Sequence, residues 1–229
     1  MVELLEPLVQ SPKLPQYVAE LNRLLAAEQA ARERFRDTLS PEQKAEFIAG
    51  QVLMHSPARF RHTHVRQLLT LLMLAHVERH QLGWVGSEKV LVALTRNDFE
   101  PDIVFYGRDK AAALRPDQTL FPPPDLVVEV LSETTEARDR GIKMEDYAAH
   151  GVAEYWLVDP DREVVELYDL EGERYTLRAK QADGTLRSRV ISGFAVPVRA
   201  VFDRALNLET LQRIAVAQPG SEQARSSDV

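Results

Sequence analysis

Apolar residues recur at helical spacing in the first part of the chain. Between residues 14 and 36 they stand three or four positions apart among charged residues, which is the pattern of an amphipathic helix. The apolar positions are Val18, Leu21, Leu24, Leu25, Ala31 and Phe35. We expect this helix to belong to an N-terminal helical extension that covers residues 1–40.

A second helix is predicted between residues 41 and 50. Ser40 is a suitable N-cap, Pro41 suits the first helical position, and Gln43 is a capping-box partner. Gly50 would end this helix, and Glu46 would lie inside it.

A third helix, followed by several strands, is predicted in the middle of the chain. Ser56 and Pro57 would open the helix, and it would end near Gly83 with an apolar face that includes Val65, Leu69 and Leu72. Runs rich in apolar residues, separated by turn signals, then predict strands. These runs are Lys89–Leu94, Asp102–Tyr106, Leu126–Leu131, Tyr155–Val158, Val164–Tyr168 and Tyr175–Arg178.

One more helix, roughly Thr135 to Ala149, separates two of these strands, so we expect the strands to be parallel neighbours. The order of elements predicts an α/β (α+β) fold with a mixed β-sheet flanked by helices. The folded domain is expected over residues 41–205, and a C-terminal helix and disordered tail over residues 206–229.

Composition narrows the chemistry. The 229 residues are 45% hydrophobic and 28% charged, as in a folded domain, and the chain has no cysteine, which excludes disulfides, thiolate zinc sites and a cysteine nucleophile. No stretch approaches the roughly 20 apolar residues of a membrane span and no signal peptide is recognisable, so we expect a cytoplasmic protein.

The net charge of −7 argues against a broad basic surface for nucleic acid. Local basic groups could still flank an acidic reaction centre, and Arg59, Arg61 and Arg66 are candidates. The alternative is that these arginines are simply solvated charges on a helix.

Acidic residues within predicted strands are the most informative positions. Asp102 opens one strand and Glu129 lies inside another, where a carboxylate is costly unless it is paired or binds a metal. Because strand residues alternate faces, Asp125 and Glu129 share one face. Such oxygen ligands favour Mg²⁺ or Mn²⁺. The alternative is structural: Glu129 would pair with Arg138 or Lys143, and Asp125 would cap a turn.

Three segments of the sequence together resemble a known protein family. The string PPPDLVVEVLSETTEARDRGIKMEDYAAHGVAEYWLVDP, with AEFIAGQVLMHSP and EPDIVFY upstream, resembles the Uma family of restriction-endonuclease-like proteins, in the PD-(D/E)xK nuclease superfamily. The resemblance covers about residues 44–203. It implies a restriction-endonuclease-like core and a divalent metal site that uses Asp102 and Glu129, with Glu46 as the acid of an early helix.

The sequence departs from the superfamily pattern at the lysine. The position two residues beyond the strand acid is Leu131, and the nearest replacement is Lys143 on the next helix. We expect the Lys143 ammonium within about 6 Å of the Glu129 carboxylate. The alternative is a surface pair with Asp139, four residues earlier. His62 matches a histidine of the family, although a histidine on a helix surface is more often solvated or a hydrogen-bonding partner.

The resemblance implies an endonuclease that hydrolyses phosphodiester bonds in DNA with Mg²⁺ or Mn²⁺. A non-catalytic nuclease fold that binds nucleic acid or a protein partner is the main alternative. A metal-dependent hydrolase acting on another substrate is a third. The apolar stripe of the N-terminal helix would be covered by the domain or by a second copy, and a homodimer would suit cleavage of both strands of a duplex.

Overall fold

The computed structural model describes residues 2–40 and 42–216, with side chains from residue 5 onwards. It divides into two compact units. The N-terminal unit falls within Met1–His55 and Thr95–Asp98, and the main unit comprises Ser56–Leu94 and the chain from Phe99 onwards. From residue 217 onwards, the predicted disordered tail lies outside the described residues. In the described part, no helix is long and apolar enough to cross a membrane.

The N-terminal unit contains two helices and a β-hairpin. Its elements are α1 (Val2–Val9), α2 (Leu14–Thr38), β1 (Ala45–Ile48) and β2 (Gln51–Met54). The long helix α2 confirms the amphipathic prediction, whereas α1 was not predicted. Arg32 and Arg36 of α2 both form ion pairs with Asp98, a fully buried acid that lies opposite Phe47 of β1.

The predicted second helix is wrong, because Glu46 lies in strand β1. The strands β1 and β2 pair antiparallel, with Ile48 opposite Gln51, and only Ala49 and Gly50 connect them. Both connecting residues have positive φ, 48° and 83°, as a tight two-residue hairpin turn requires. Gly50 therefore makes a hairpin turn instead of ending a helix, and the capping pattern at residues 40–43 is overridden by strand pairing.

The main unit contains most of the secondary structure. Its helices are α3 (Phe60–His80), α4 (Arg108–Ala112), α5 (Glu136–Asp139), α6 (Ile142–Ala149) and α7 (Arg204–Val216), with a 3₁₀ turn at Val198–Val201. Its strands are β3 (Gly83–Ser87), β4 (Leu91–Ala93), β6 (Ile103–Gly107), β7 (Leu120–Phe121), β8 (Leu126–Val130), β9 (Glu154–Asp159), β10 (Val164–Glu171), β11 (Arg174–Gln181), β12 (Thr185–Arg187) and β13 (Ala195–Pro197). The short strand β5 (Asp98–Phe99) straddles the boundary between the units.

Six strands of the main unit form a mixed sheet in the order β11-β10-β9-β8-β6-β3. The pair β8 and β9 is parallel, as predicted, and the other four neighbouring pairs are antiparallel. A parallel pair needs a crossover connection, which α5 and α6 supply. This sheet, flanked by helices, confirms the predicted fold class.

The two faces of the sheet carry different helices. Helix α3 buries Leu69, Leu72 and Met73 in one core cluster with Val128 of β8 and Trp156 of β9. Each such side chain stabilises the fold by about 1.5–3 kcal/mol when it is fully buried. On the opposite face α6 contributes Tyr147, whose ring packs against Phe99 and Tyr155 at centroid distances of 5.2 and 5.7 Å.

The predicted helix from Thr135 to Ala149 is interrupted at Gly141. This residue has φ −112° and ψ −108°, outside the helical region, so α5 and α6 are separate helices. A Cβ at this position would lie 2.9 Å from the carbonyl oxygen of Ala137, so a side chain would force the backbone to shift. The break sets the direction of α6, in which Lys143 is the second residue.

Candidate active site

Asp102 and Glu129 lie opposite each other at one end of β6 and β8. In the antiparallel pairing of these strands Ile103 is opposite Val128, and continuing the register by one residue places Asp102 opposite Glu129. Directly opposite residues share a face, with their Cβ atoms about 4.5–5.5 Å apart. Strand register thus brings together two carboxylates that are 27 positions apart in the sequence.

Asp102 is held by the backbone of β8 and by a histidine of α3. Its Oδ2 accepts a hydrogen bond from the backbone N–H of Val130 at 2.9 Å, and Nε2 of His62 lies 3.2 Å from the same oxygen. The Asp102 residue is only 3% exposed. These contacts fix the carboxylate in one orientation, which a preorganised site requires.

Glu129 forms a buried ion pair with Lys143. The ammonium Nζ donates a hydrogen bond to Oε1 of Glu129 at 3.0 Å, and it also lies 3.2 Å from Oδ1 of Asp139. Residue exposures are 3% for Glu129, 2% for Lys143 and 1% for Asp139. The expected approach of Lys143 to Glu129 is therefore met, and the structural alternative, in which Glu129 pairs with Lys143, expected the same contact. The other alternative, a surface pair of Lys143 with Asp139, is wrong because both partners are buried.

A buried tyrosine adjoins this charged group. Tyr155 of β9 donates its hydroxyl hydrogen to the backbone oxygen of Asp139 at 2.9 Å. Burial raises the pKa of the Tyr155 hydroxyl well above its usual value, and the negative charges of Glu129 and Asp139 raise this pKa further. Tyr155 therefore stays protonated near neutral pH and serves as a fixed donor that anchors the end of α5.

Two other acids named in the sequence analysis have different surroundings. Glu46 of β1 is fully buried, and its Oε2 lies 3.0 Å from Nε2 of His55 within the N-terminal unit. Its expected part as a third acid of the metal site stays a prediction. Asp125 accepts a hydrogen bond from Gly107 N, at the end of β6, at 2.7 Å and pairs with Lys110 of α4 at 2.8 Å. These contacts give Asp125 a structural role, although not the turn cap that the alternative expected.

Sequence reasoning left two states open for His62 and underestimated Asp139. Of the expected states of His62, solvated or a partner of another side chain, the structure shows the second: its side chain is only 12% exposed, its Nε2 contacts Asp102, and its Nδ1 is buried without a hydrogen-bond partner. Asp139 appeared only as a surface partner of Lys143, yet it completes the buried group. The spacing of four residues between Asp139 and Lys143 indicated the contact, but no sequence signal indicated their burial.

The donor chemistry of the site fits a divalent cation. In the part of the chain that the structure describes, no three His, Cys, Asp or Glu side chains form a group that could hold a metal ion by themselves. Mg²⁺ does not need such a group, because one or two carboxylates usually bind it together with water and substrate phosphate. Asp102 and Glu129 supply carboxylate oxygens of the kind that such a cation takes, beside the ammonium of Lys143.

Comparisons with known proteins agree with this architecture. The Uma2 family model, described as putative restriction endonuclease, matches residues 32–199, which is more than half of the chain. The crystal structure of a putative nuclease belonging to DUF820 from Anabaena variabilis is similar with a TM-score of 0.65, at 16% identity over 76% of this chain and 97% of that chain. At this identity the similarity shows the fold. No curated protein matches the chain.

Proposed function

Since the chain belongs to the Uma2 family, described as putative restriction endonuclease, we propose that it is an endonuclease that hydrolyses phosphodiester bonds in DNA with Mg²⁺ or Mn²⁺. The observation that carries this proposal is the buried arrangement of Asp102, Glu129 and Lys143 at one end of β6 and β8. Two carboxylates suit a divalent cation that assists phosphodiester hydrolysis, and a lysine beside them suits the negative charge that develops on the phosphate.

Each residue has a proposed part. Asp102 and Glu129 would hold the cation, with water completing its coordination. When bound, the cation supplies Lewis-acid polarisation of the scissile phosphate. Lys143 would orient the attacking water and offset the negative charge that develops on the phosphate. His62 and the amide of Val130 would keep the Asp102 carboxylate in its binding orientation.

A cleavage assay with supercoiled plasmid tests the proposal. We expect nicked or linear product with Mg²⁺ or Mn²⁺ and none in EDTA. Isothermal calorimetry should show Mn²⁺ binding to the wild type and its loss in Asp102→Asn. Cleavage of DNA in EDTA, or unchanged Mn²⁺ affinity in Asp102→Asn, would contradict the metal site. Stable DNA binding without cleavage under all metal conditions would instead indicate the non-catalytic module.

The N-terminal unit supports a proposal on assembly. Helix α2 leaves Val18, Leu21 and Leu25 about half exposed at 46%, 52% and 54%, at spacings of three and four residues that place them on one face. We propose that a second copy of the chain covers this face, since two copies would provide one active site for each strand of a duplex.

Sedimentation tests the proposed homodimer. We expect the mass of two chains for the wild type and of one chain for Leu21→Glu/Leu25→Glu, because charges on this face would oppose its burial. The matched variant Leu208→Glu changes a residue of α7 that is 58% exposed, and it should stay dimeric. A wild-type chain that sediments as a monomer at micromolar concentration would remove the proposal.

A further inference from the structure

An exposed aromatic residue stands at the start of α3 between two arginines. Phe60 is 81% exposed, the highest value among the exposed large apolar residues that the structure describes. The side chains of Arg59 and Arg61 are 65% and 56% exposed. The Phe60 ring stacks on His64, with a centroid distance of 5.3 Å and an interplanar angle of 15°. This stacking limits the ring's freedom but leaves most of its surface in water.

This segment lies at the same edge of the sheet as the candidate active site. Arg59 pairs with Glu133, which follows the end of β8, at 2.8 Å, and Arg61 pairs with Asp161, which follows the end of β9. Glu129 is in the last part of β8, so both arginines reach loops at the end of the sheet that carries the acids. His62, the next residue along α3, contacts Asp102.

The two ion pairs are weak enough to exchange. Glu133 and Asp161 have side chains that are 72% and 50% exposed, so both pairs are solvated. Exposed pairs contribute little to folding and are readily replaced by another anion. Arg66, the third arginine of this region, differs because it is 7% exposed and pairs with Glu88. Arg59 and Arg61 are therefore the arginines of this segment that are accessible to a phosphate.

Stability gives little reason for Phe60 to be aromatic, because its ring lies mostly in water and a side-chain pair such as Phe60–His64 contributes only about 0.2–0.5 kcal/mol to a helix. Two arginines and an exposed ring match the needs of a nucleic acid: guanidinium groups bind phosphates, and aromatic rings stack on unpaired bases. The chain carries a net charge of −7, so binding must rely on local groups of this kind.

We propose that Arg59, Phe60 and Arg61 form a nucleic-acid-binding element beside the active site, in which the arginines bind backbone phosphates and Phe60 stacks on an unpaired base. The preferred substrate then exposes an unpaired base near the cleaved bond, as a single strand, a frayed end or a junction does. This inference rests on the proposed nuclease function and deepens it by naming the structure of the substrate.

Fluorescence anisotropy in EDTA tests the inference without cleavage. A labelled 20-nucleotide single strand and its duplex are titrated with the full-length chain at several salt concentrations. We expect Phe60→Ala to weaken single-strand binding by about 5- to 150-fold, the range for loss of one stacked base, and duplex binding by less than about three-fold. For Arg59→Gln/Arg61→Gln, the salt dependence of single-strand binding should fall by about 1.4 logarithmic units per logarithmic unit of salt, for two phosphate contacts.

Matched variants control for general effects of surface substitution. Leu208→Ala shortens an apolar side chain of α7, at a residue that is 58% exposed. Arg115→Gln removes the positive charge of an arginine whose side chain is 75% exposed and pairs with Asp117. Arg115 follows α4, and α4 begins at the end of β6 that is farther from Asp102. Both controls should bind like the wild type, and all variants should keep their melting temperature.

The outcomes separate the inference from the proposed function. Single-strand binding that depends on Phe60, in a chain that cleaves nothing, would support the element and refute the nuclease. Cleavage by the wild type with unchanged binding in Phe60→Ala would refute the element and leave the nuclease standing. The element would also be overturned if the wild type bound no strand, or if Phe60→Ala changed the sedimenting mass and not the binding.

Discussion

Replacing Glu129 by glutamine is expected to lower metal-dependent DNA cleavage by about 100- to 1000-fold, the usual loss when one group that stabilises transition-state charge is removed. Glutamine keeps the shape of the side chain but loses the negative charge that would bind the cation. The fold should survive, because Lys143 keeps Asp139 as a partner at 3.2 Å. Plasmid cleavage rates measure the loss of activity, Mn²⁺ calorimetry measures the loss of cation binding, and circular dichroism checks that the fold is retained.

Asp125→Asn is the matched control for Glu129→Gln. Asp125 immediately precedes β8 and lies four residues before Glu129, so both residues are on the same face of the strand. Asp125, however, pairs with Lys110 at the other end of β8. Its replacement should leave the cleavage rate within about three-fold, since it touches none of the groups at the candidate site. Equal losses in the two variants would mean that general damage to β8, and not metal binding, explains the effect of Glu129→Gln.

Replacing Lys143 by methionine is expected to have two large effects. Cleavage should fall by about 100- to 1000-fold, because the variant lacks the Lys143 ammonium that would lie beside the phosphate. The free energy of unfolding should fall by about 3–5 kcal/mol, since the buried carboxylates of Glu129 and Asp139 lose a shared ammonium. Denaturant unfolding measures the second effect, and cleavage assays well below the melting temperature measure the first on folded protein.

Asp139→Asn separates the catalytic part of Lys143 from its structural part. This change removes one carboxylate from the ammonium but keeps the hydrogen bond of Lys143 to Glu129 at 3.0 Å. We expect a moderate loss of stability and less than about ten-fold loss of cleavage. Full cleavage by a folded Lys143→Met variant would show that the role of this lysine is structural only.

Much of the architecture was predictable because its signals are local. The apolar spacing of α2 and of α3, the apolar run of β8 and the helix between β8 and β9 each require only a short window of sequence. The short elements carried too little pattern to be recognised, and α1, α4, β3, β5, β7, β12 and β13 were not predicted. Short strands are defined mainly by their partners, which lie far away along the chain.

Glu46 and Gly141 show where local signals misled. The residues before Glu46 match a helix start, yet Ala49 and Gly50 adopt the positive φ values of a hairpin turn, and pairing with β2 outweighs the capping pattern. Gly141 stands inside a stretch with helical spacing, but its backbone leaves the helical region and divides the helix. In both cases a glycine had two compatible conformations, and only the surrounding packing selected one.

The sequence by itself determined the fold class and the family, and it named Asp102 and Glu129 as candidate acids, because a strand carboxylate such as Glu129 and the strings around it are properties of short segments. Only the tertiary structure decided that β6 and β8 pair in the register that sets Asp102 opposite Glu129, that Lys143 is buried against Glu129 and Asp139, and that His62 reaches Asp102. The physical reason is that register and burial are set by contacts between segments distant in sequence, which no local pattern of residues specifies.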